Sequence, residues 1–284
     1  MINSPLVKKL IELSIEEDLS QGDITSSICV DPKIMGVGKV ISRETCIVCG
    51  MPLLEMIIEA ANFKLRVDLL KKEGALVGNG DILAEIKGSV KEILSLERTA
   101  LNFIQRLCGI ATRAQQIISK SQGIIVADTR KTTPGWRILE KYAVKTAGGR
   151  NHRFNLGDMI LVKENHIDAN GGSVSKTLQK ISTQKPIHMS FEVEVRNYKE
   201  MSEALKFSPN AIMLDNMSDS DIRECIKEIK NKLPGCLIEV SGGINTDRFE
   251  ALKGLGVELV SMGTLTTNIK ATDISMDIVL DVSK

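Results

Sequence analysis

A chain of 284 residues with 37 Lys and Arg against 36 Asp and Glu, 43% apolar and 26% charged, has room for one large domain or two ordinary ones and the composition of a globular protein. Its formal net charge of +1 excludes the broad basic stripe of a nucleic-acid binder. No apolar run approaches the roughly 18 residues of a membrane span, and Met1-Ile2-Asn3-Ser4-Pro5 lacks the layout of a secretion signal, so a cytoplasmic protein is expected.

Leu6 to Leu19 carries apolar side chains at Leu6, Leu10 and Leu13 with charge between, which predicts an amphipathic helix ended by Gly22-Asp23. Val37 to Val48 reads as strand and Glu55 to Ala61 as a short helix. Val67–Leu70, Ala75–Val77 and Ile82–Ile86 are β-type runs separated by Gly74, Gly78-Asn79-Gly80 and Gly88, the turn residues of hairpins. The six cysteines are scattered, mostly in apolar runs, where a free thiol acts as a small hydrophobe. Cys46 and Cys49 form a lone C-x-x-C with no second pair or nearby histidine, and on a strand their spacing puts them on opposite faces, which speaks against metal.

A long helical region follows from Lys91 to about Gln122, with Gly109 as a possible break, and it reads as a bridge between two domains. Beyond it, strand candidates alternate with helical segments: Ile124–Ala127, Met159–Val162, Phe191–Val195, Ala211–Leu214, Leu237–Val240 and Glu258–Ser261. Such alternation predicts parallel βαβ units. Each run ends in a polar residue or glycine, as where catalytic groups come from the C-terminal ends of barrel strands. A doubly wound open sheet is the alternative; polar ends on every strand, instead of a cluster at one switch point, favour the barrel. The tract is short for eight strands, so the barrel should be incomplete. The expected organisation is an α+β domain with the linking helix over 1–112, whose ends can pack on either domain, and an α/β-barrel domain over 113–284.

Between Ile124 and His166 eight cations stand against four acids, so positive charge is focused in a nearly neutral chain and suits a small polyanionic ligand. Arg130, His152, Arg153 and Lys163 follow apolar strands or sit in glycine-rich turns, and arginine offers a bidentate fork to a carboxylate. In Ile187–Val195, alternation puts Ser190, Glu192 and Glu194 on one face, and buried acids need cations or metal. Glu194 and Asp215, at adjacent strand ends, suit a hard cation such as Mg²⁺; salt bridging to Lys163 or Lys131 is the alternative. Ser241-Gly242-Gly243 follows a strand and precedes Asn245-Thr246-Asp247-Arg248, a helix start, so with Gly263 it can form a phosphate-binding pair of loops. His166 and His188 read as structural, and Trp136, the one tryptophan, as a packing residue.

These motifs resemble those of the quinolinate phosphoribosyltransferase family, also called carboxylating nicotinate-nucleotide pyrophosphorylases. The matches run from Glu17-Asp18-Leu19 and Gly22-Asp23-Ile24-Thr25 through Glu97-Arg98-Thr99-Ala100-Leu101-Asn102, the Asp128–Gly135 segment and Asn151-His152-Arg153. They continue through Lys163-Glu164-Asn165-His166, Glu192-Val193-Glu194-Val195, Met213-Leu214-Asp215-Asn216 and Ser241-Gly242-Gly243-Ile244. The resemblance implies an N-terminal α+β open-faced sandwich plus an incomplete parallel α/β barrel, and a homodimer with shared active sites. It implies that Arg98 from the second subunit, with Arg130, His152, Arg153 and Lys163, holds the carboxylates of quinolinate. Lys131 and Lys163 would lie near phosphoribosyl pyrophosphate, Glu194 and Asp215 near its ribose and Mg²⁺, and Ser241, Gly242, Gly243 and Gly263 near its 5-phosphate. Lys131, Lys163, Glu194 and Asp215 are the implied catalytic set. Where many members read Leu-Thr-His-Ser, this chain has Leu265-Thr266-Thr267-Asn268, so an imidazole is replaced by a hydroxyl.

Two other readings stay open at this point. A paralogue group associated with molybdenum transport shares the scaffold and would take another anionic ring, although retention of Arg98, Arg130, His152 and Arg153 argues against it. A non-catalytic anion-binding protein on the same scaffold would be expected to lose Glu194 or Asp215, and both are present.

Overall fold

A computed structural model describes residues 1–281. The chain opens with α1 (Pro5–Leu19), α2 (Ile24–Cys29), β1 (Met35–Ser42), β2 (Cys46–Ile47), α3 (Leu53–Ala60), β3 (Arg66–Leu69), β4 (Leu76–Val77), β5 (Ile82–Ser89) and α4 (Val90–Ile118). It continues with β6 (Ile125–Ala127), α5 (Arg137–Thr146), β7 (Ile160–Val162), α6 (Glu164–Asp168), α7 (Val174–Gln184), β8 (Phe191–Val195), α8 (Tyr198–Leu205), β9 (Ala211–Asp215) and α9 (Asp219–Lys232). It closes with β10 (Leu237–Ser241), a 3₁₀ turn (Thr246–Arg248), α10 (Phe249–Gly254), β11 (Leu259–Ser261), α11 (Thr264–Thr267) and β12 (Ile274–Leu280). None of the described helices is long and apolar enough to cross a membrane.

Contacts divide the chain into two units: one comprises residues 1–116, 131–149 and 264–284, and the other 117–130 and 150–263. The single cut expected at 112/113 differs from this interleaving. For the last segment the physical reason is β12, absent from the sequence expectations: Ile274–Leu280 pairs antiparallel with β1 from Gly36↔Leu280 to Ser42↔Ile274, so a late strand completes the sheet begun near the start of the chain.

The first unit is built on the antiparallel sheet β12-β1-β5-β3. Gly36 and Gly38 lie on one face of β1; a Cβ at Gly36 would meet Val90 Cγ2 at 2.8 Å, and one at Gly38 would meet Ile93 Cγ2 at 2.8 Å. Glycine here lets α4 lie directly on the strand, which makes the open-faced α+β sandwich. The helix α4 runs unbroken through Gly109, where sequence reading allowed a break; a Cβ there would sit 2.2 Å from the Lys270 carbonyl oxygen. Gly109 therefore serves a close backbone approach. A second correction concerns Gly22-Asp23, expected only to end α1: Asp23 Oδ1 accepts from Ser26 N at 2.9 Å and starts α2. Cys49 lies beyond β2, and its amide donates to Cys108 Sγ at 3.3 Å. All six cysteines are free.

The second unit holds a parallel six-stranded sheet in the order β6-β11-β10-β9-β8-β7. From β7 to β11 each strand adds beside its predecessor, and β6 joins the far side of β11, so the order never reverses as it would in a doubly wound sheet. Among the described residues no ladder joins β6 to β7, which leaves the barrel incomplete. Alternation along the strands separates two faces. Val193, Val195, Ile212, Leu214, Ile238, Val240 and Val260 form the apolar face and are all buried, while Glu192, Glu194, Asp215, Glu239 and Ser261 lie on the other.

Candidate functional site

Parallel strands put all six C-terminal ends along one edge of the second unit's sheet. At that edge stand Asp128 after β6, Lys163 after β7, Glu194 near the end of β8, Asp215 closing β9, Ser241 closing β10 and Gly263 beyond β11. Arg98, exposed on α4, and Lys131, exposed, belong to the first unit. Arg130, His152, Arg153, Lys163, Glu194, Asp215, Ser241, Gly242, Gly243 and Gly263 share the second.

Asp128 places the cationic turn. Fully buried, it accepts from Asn151 Nδ2 at 2.6 Å and from the His152 amide at 2.9 Å, and Arg150 N bonds Val126 O at 2.9 Å. The His152 ring is consequently fixed. Its Nδ1 accepts from Arg153 N at 2.9 Å, so the ring proton resides on Nε2, which donates to Glu192 Oε2 at 3.2 Å and lies 3.6 Å from Glu239 Oε2. Both ring nitrogens are thus engaged within the chain. Arg153 donates to Met159 O at 3.0 Å, and burial together with the like charge of Arg130 lowers its pKa, opposed by Glu192 and Asp158.

Glu239 is not among the expected site residues, although alternation along Leu237–Ser241 sets it opposite Ile238 and Val240, on the face of Ser241. It lies 1% exposed, as does Glu192, and burial and the charge of Glu192 push its carboxyl up to about 7, against which His152 and Ser261 act. One oxygen on each acid, Oε1, has no hydrogen-bond partner among the described residues. His152, Glu192 and Glu239 have metal-ligand types within 4.8 Å of one another. The tautomer argues against a metal there, since a ring accepting at Nδ1 has no lone pair free on Nε2.

The second constellation lies on β8, β9 and β10. Glu194 pairs with Met213 across the ladder whereas Asp215 pairs with Ser241, so the two carboxylates share a face but lie a layer apart. Lys163 forms an ion pair with Glu194, as the salt-bridge alternative held. Asp215, half-buried, accepts from Asn216 Nδ2 at 3.1 Å. Two carboxylates at the mouth of a sheet are a donor set that suits a hard divalent cation retaining water and substrate oxygens. His166, read as structural, accepts from the Lys163 amide at 2.9 Å and caps α6.

Asn216 also shapes the glycine turn. It adopts φ 52°, its amide bonds Ser241 O at 3.1 Å, and a Cβ on Gly242 (φ 83°) would meet Asn216 Oδ1 at 2.3 Å. Only glycine fits. The expected helix start after this turn is a three-residue 3₁₀ segment capped by Asn245 and a six-residue α10, so phosphate binding would rest on loop amides, with little from a helix dipole. In the first unit, α11 carries Thr267, the departure from the family's histidine, which is exposed, and beside it Thr266 Oγ1 donates to the Lys131 carbonyl at 2.7 Å.

The chain matches two family models, Quinolinate phosphoribosyl transferase, N-terminal domain, over residues 23–108, and Quinolinate phosphoribosyl transferase, C-terminal domain, over residues 110–277. A probable nicotinate-nucleotide pyrophosphorylase [carboxylating] of Methanocaldococcus jannaschii is 38% identical over 281 residues, covering 95% of this chain and 96% of that protein. A chloroplastic nicotinate-nucleotide pyrophosphorylase [carboxylating] of Arabidopsis thaliana is 33% identical over 290 residues, covering 96% of this chain and 82% of its own. The crystal structure of NadC from Streptococcus pyogenes superposes with a TM-score of 0.90 at 34% identity, covering 96% of each chain.

Proposed function

The chain belongs to the quinolinate phosphoribosyl transferase family, and from that membership we infer which of its residues serve which part of the reaction. The enzyme joins quinolinate to phosphoribosyl pyrophosphate, giving nicotinate mononucleotide, pyrophosphate and CO₂, in the de novo route to NAD. The pyridine nitrogen displaces pyrophosphate at the anomeric carbon through an oxocarbenium-like transition state. The carboxylate beside the quaternised nitrogen then leaves as CO₂, because the ring cation stabilises the carbanion left behind. Neither step demands a dedicated general base, so positioning and charge neutralisation carry the catalysis.

What supports the residue assignment is the gathering of Arg130 and Arg153 in the same unit as the strand ends that carry Lys163, Glu194, Asp215 and Ser241 along one sheet edge. In our reading these two arginines and Lys163, with Arg98 from a second copy of the chain, take the carboxylates of quinolinate. His152 belongs with them in this reading, and its Nδ1, which accepts from the Arg153 amide, also fixes the backbone from which Arg153 projects. Lys131 and Lys163 neutralise the phosphoribosyl pyrophosphate, while Ser241, Gly242, Gly243 and Gly263 close on its 5-phosphate. Glu194 and Asp215 would hold Mg²⁺, which when bound supplies charge neutralisation for the departing pyrophosphate. A homodimer is part of this reading: Leu6, Leu13, Ile24 and Ile28, between 62% and 78% exposed on α1 and α2, are apolar surface that a second copy would cover. So is a cytoplasmic location, which fits six unpaired cysteines.

The reading is tested by following pyrophosphate and CO₂ release with quinolinate against nicotinate as acceptor. We expect turnover with quinolinate and none with nicotinate. Turnover with nicotinate alone would assign the scaffold to another acceptor.

A further inference from the structure

The turn that carries Lys131 is pinned from both sides by a buried cluster that the reaction scheme leaves without a role. Glu140, on α5 and 0% exposed, accepts on Oε1 from Arg106 Nε at 3.2 Å and Nη2 at 2.5 Å. Its Oε2 accepts from the Thr133 amide at 3.2 Å. Arg106, on α4, extends Nη2 to Thr133 Oγ1 at 2.6 Å, and its guanidinium lies 5.4 Å from the centroid of Trp136, which in turn stacks on Phe103 at 4.8 Å and 24°. On the other side Thr266 Oγ1 holds the Lys131 carbonyl at 2.7 Å, and Arg137 Nε holds Thr132 Oγ1 at 3.1 Å.

Each partner is matched to its task. A fully buried carboxylate is costly unless charged and neutral donors satisfy it, and here three donors on two oxygens do so. A planar guanidinium can engage Glu140, reach Thr133 and lie over an indole at once, which a lysine ammonium cannot. Three consecutive residues, Lys131, Thr132 and Thr133, are thus tied respectively to α11, to α5, and to both α5 and α4, while the Lys131 side chain itself is exposed. An exposed lysine on an untethered turn would spread its charge over many positions; on this one its backbone origin is fixed.

We propose that Arg106 and Glu140 are positioning residues for phosphoribosyl pyrophosphate, acting through the backbone of the Lys131 turn. The proposal rests on the reading that Lys131 meets that substrate. Its signature is selectivity: loosening the tether raises the KM for phosphoribosyl pyrophosphate while the KM for quinolinate stays put.

The experiment measures both KM values and kcat for Arg106→Lys, Thr133→Val, Lys131→Ala and the double variant Arg106→Lys with Lys131→Ala. Thr133 is exposed, so Thr133→Val removes one tether without disturbing the core if Arg106→Lys proves unstable. We expect the KM for phosphoribosyl pyrophosphate to rise about tenfold in Arg106→Lys and severalfold in Thr133→Val, with the quinolinate KM within twofold of the parent. In the Lys131→Ala background Arg106→Lys should add nothing, since the group it positions is gone. Equal losses for both substrates, or an Arg106→Lys effect of full size in the absence of Lys131, would overturn the proposal while leaving Lys131 in place. An unchanged KM for phosphoribosyl pyrophosphate in Lys131→Ala would remove the premise, and the proposal with it.

Discussion

Glu239 is a carboxyl that burial and the Glu192 charge hold at about 7, above its ordinary 4.5. The folded protein therefore keeps a proton that the unfolded chain releases between those two values. The resulting stabilisation is fully present below pH 4.5 and is lost as pH rises through 7. Glu239→Gln removes the titration, so its urea midpoint should change little between pH 5 and pH 7.5 where that of the parent falls. An identical fall in the variant would show that some other group is responsible. At this scale the sequence pointed to the cations well, because Asn151-His152-Arg153 and Lys163-Glu164-Asn165-His166 are motifs. It could not show that His152 spends both ring nitrogens internally, since its acceptors come from strands 40 and 87 residues away in the chain.

Elements were legible wherever period and punctuation agreed. All six parallel strands were expected within two residues of where they lie, and so was α1. The failures share a cause. Gly109 invited a helix break because local propensity disfavours glycine in a helix interior, yet α4 passes through it to let the Lys270 carbonyl approach. Gly109→Ala thus tests tertiary packing against propensity. On a free helix the change would stabilise by about 1 kcal/mol, but a Cβ 2.2 Å from a backbone oxygen forces a shift, and we expect a loss of about 1–3 kcal/mol in a denaturant titration. A gain in stability would mean that the close approach is not enforced. β12 was missed for the mirror-image reason: Ile274–Leu280 has alternation but no neighbour in sequence to pair with, and its partner β1 lies more than 230 residues earlier.

For the whole molecule, the proposed assembly makes a claim that no single chain can satisfy. Arg98 is exposed on one unit and Asp215 closes a strand of the other, and in the proposed dimer they serve one active site from different copies. Co-refolding Arg98→Ala with Asp215→Ala chains should then restore up to about a quarter of parental activity, because half of the dimers are mixed and each has one intact site of two. Activity that stays at the level of the separate variants would place both residues in one chain's site.

What the sequence determined by itself was the chemistry available: which apolar runs become strands, which residues terminate them, and how much positive charge gathers at those ends. These follow from local alternation and local composition. The tertiary structure alone decided which of those groups meet one another. It paired Glu194 with Lys163, enclosed Glu239 beneath His152, and closed the first sheet with the last strand. Hydrogen bonds and ion pairs of that kind form between residues far apart in the chain, so their partners exist only once the fold has brought them together.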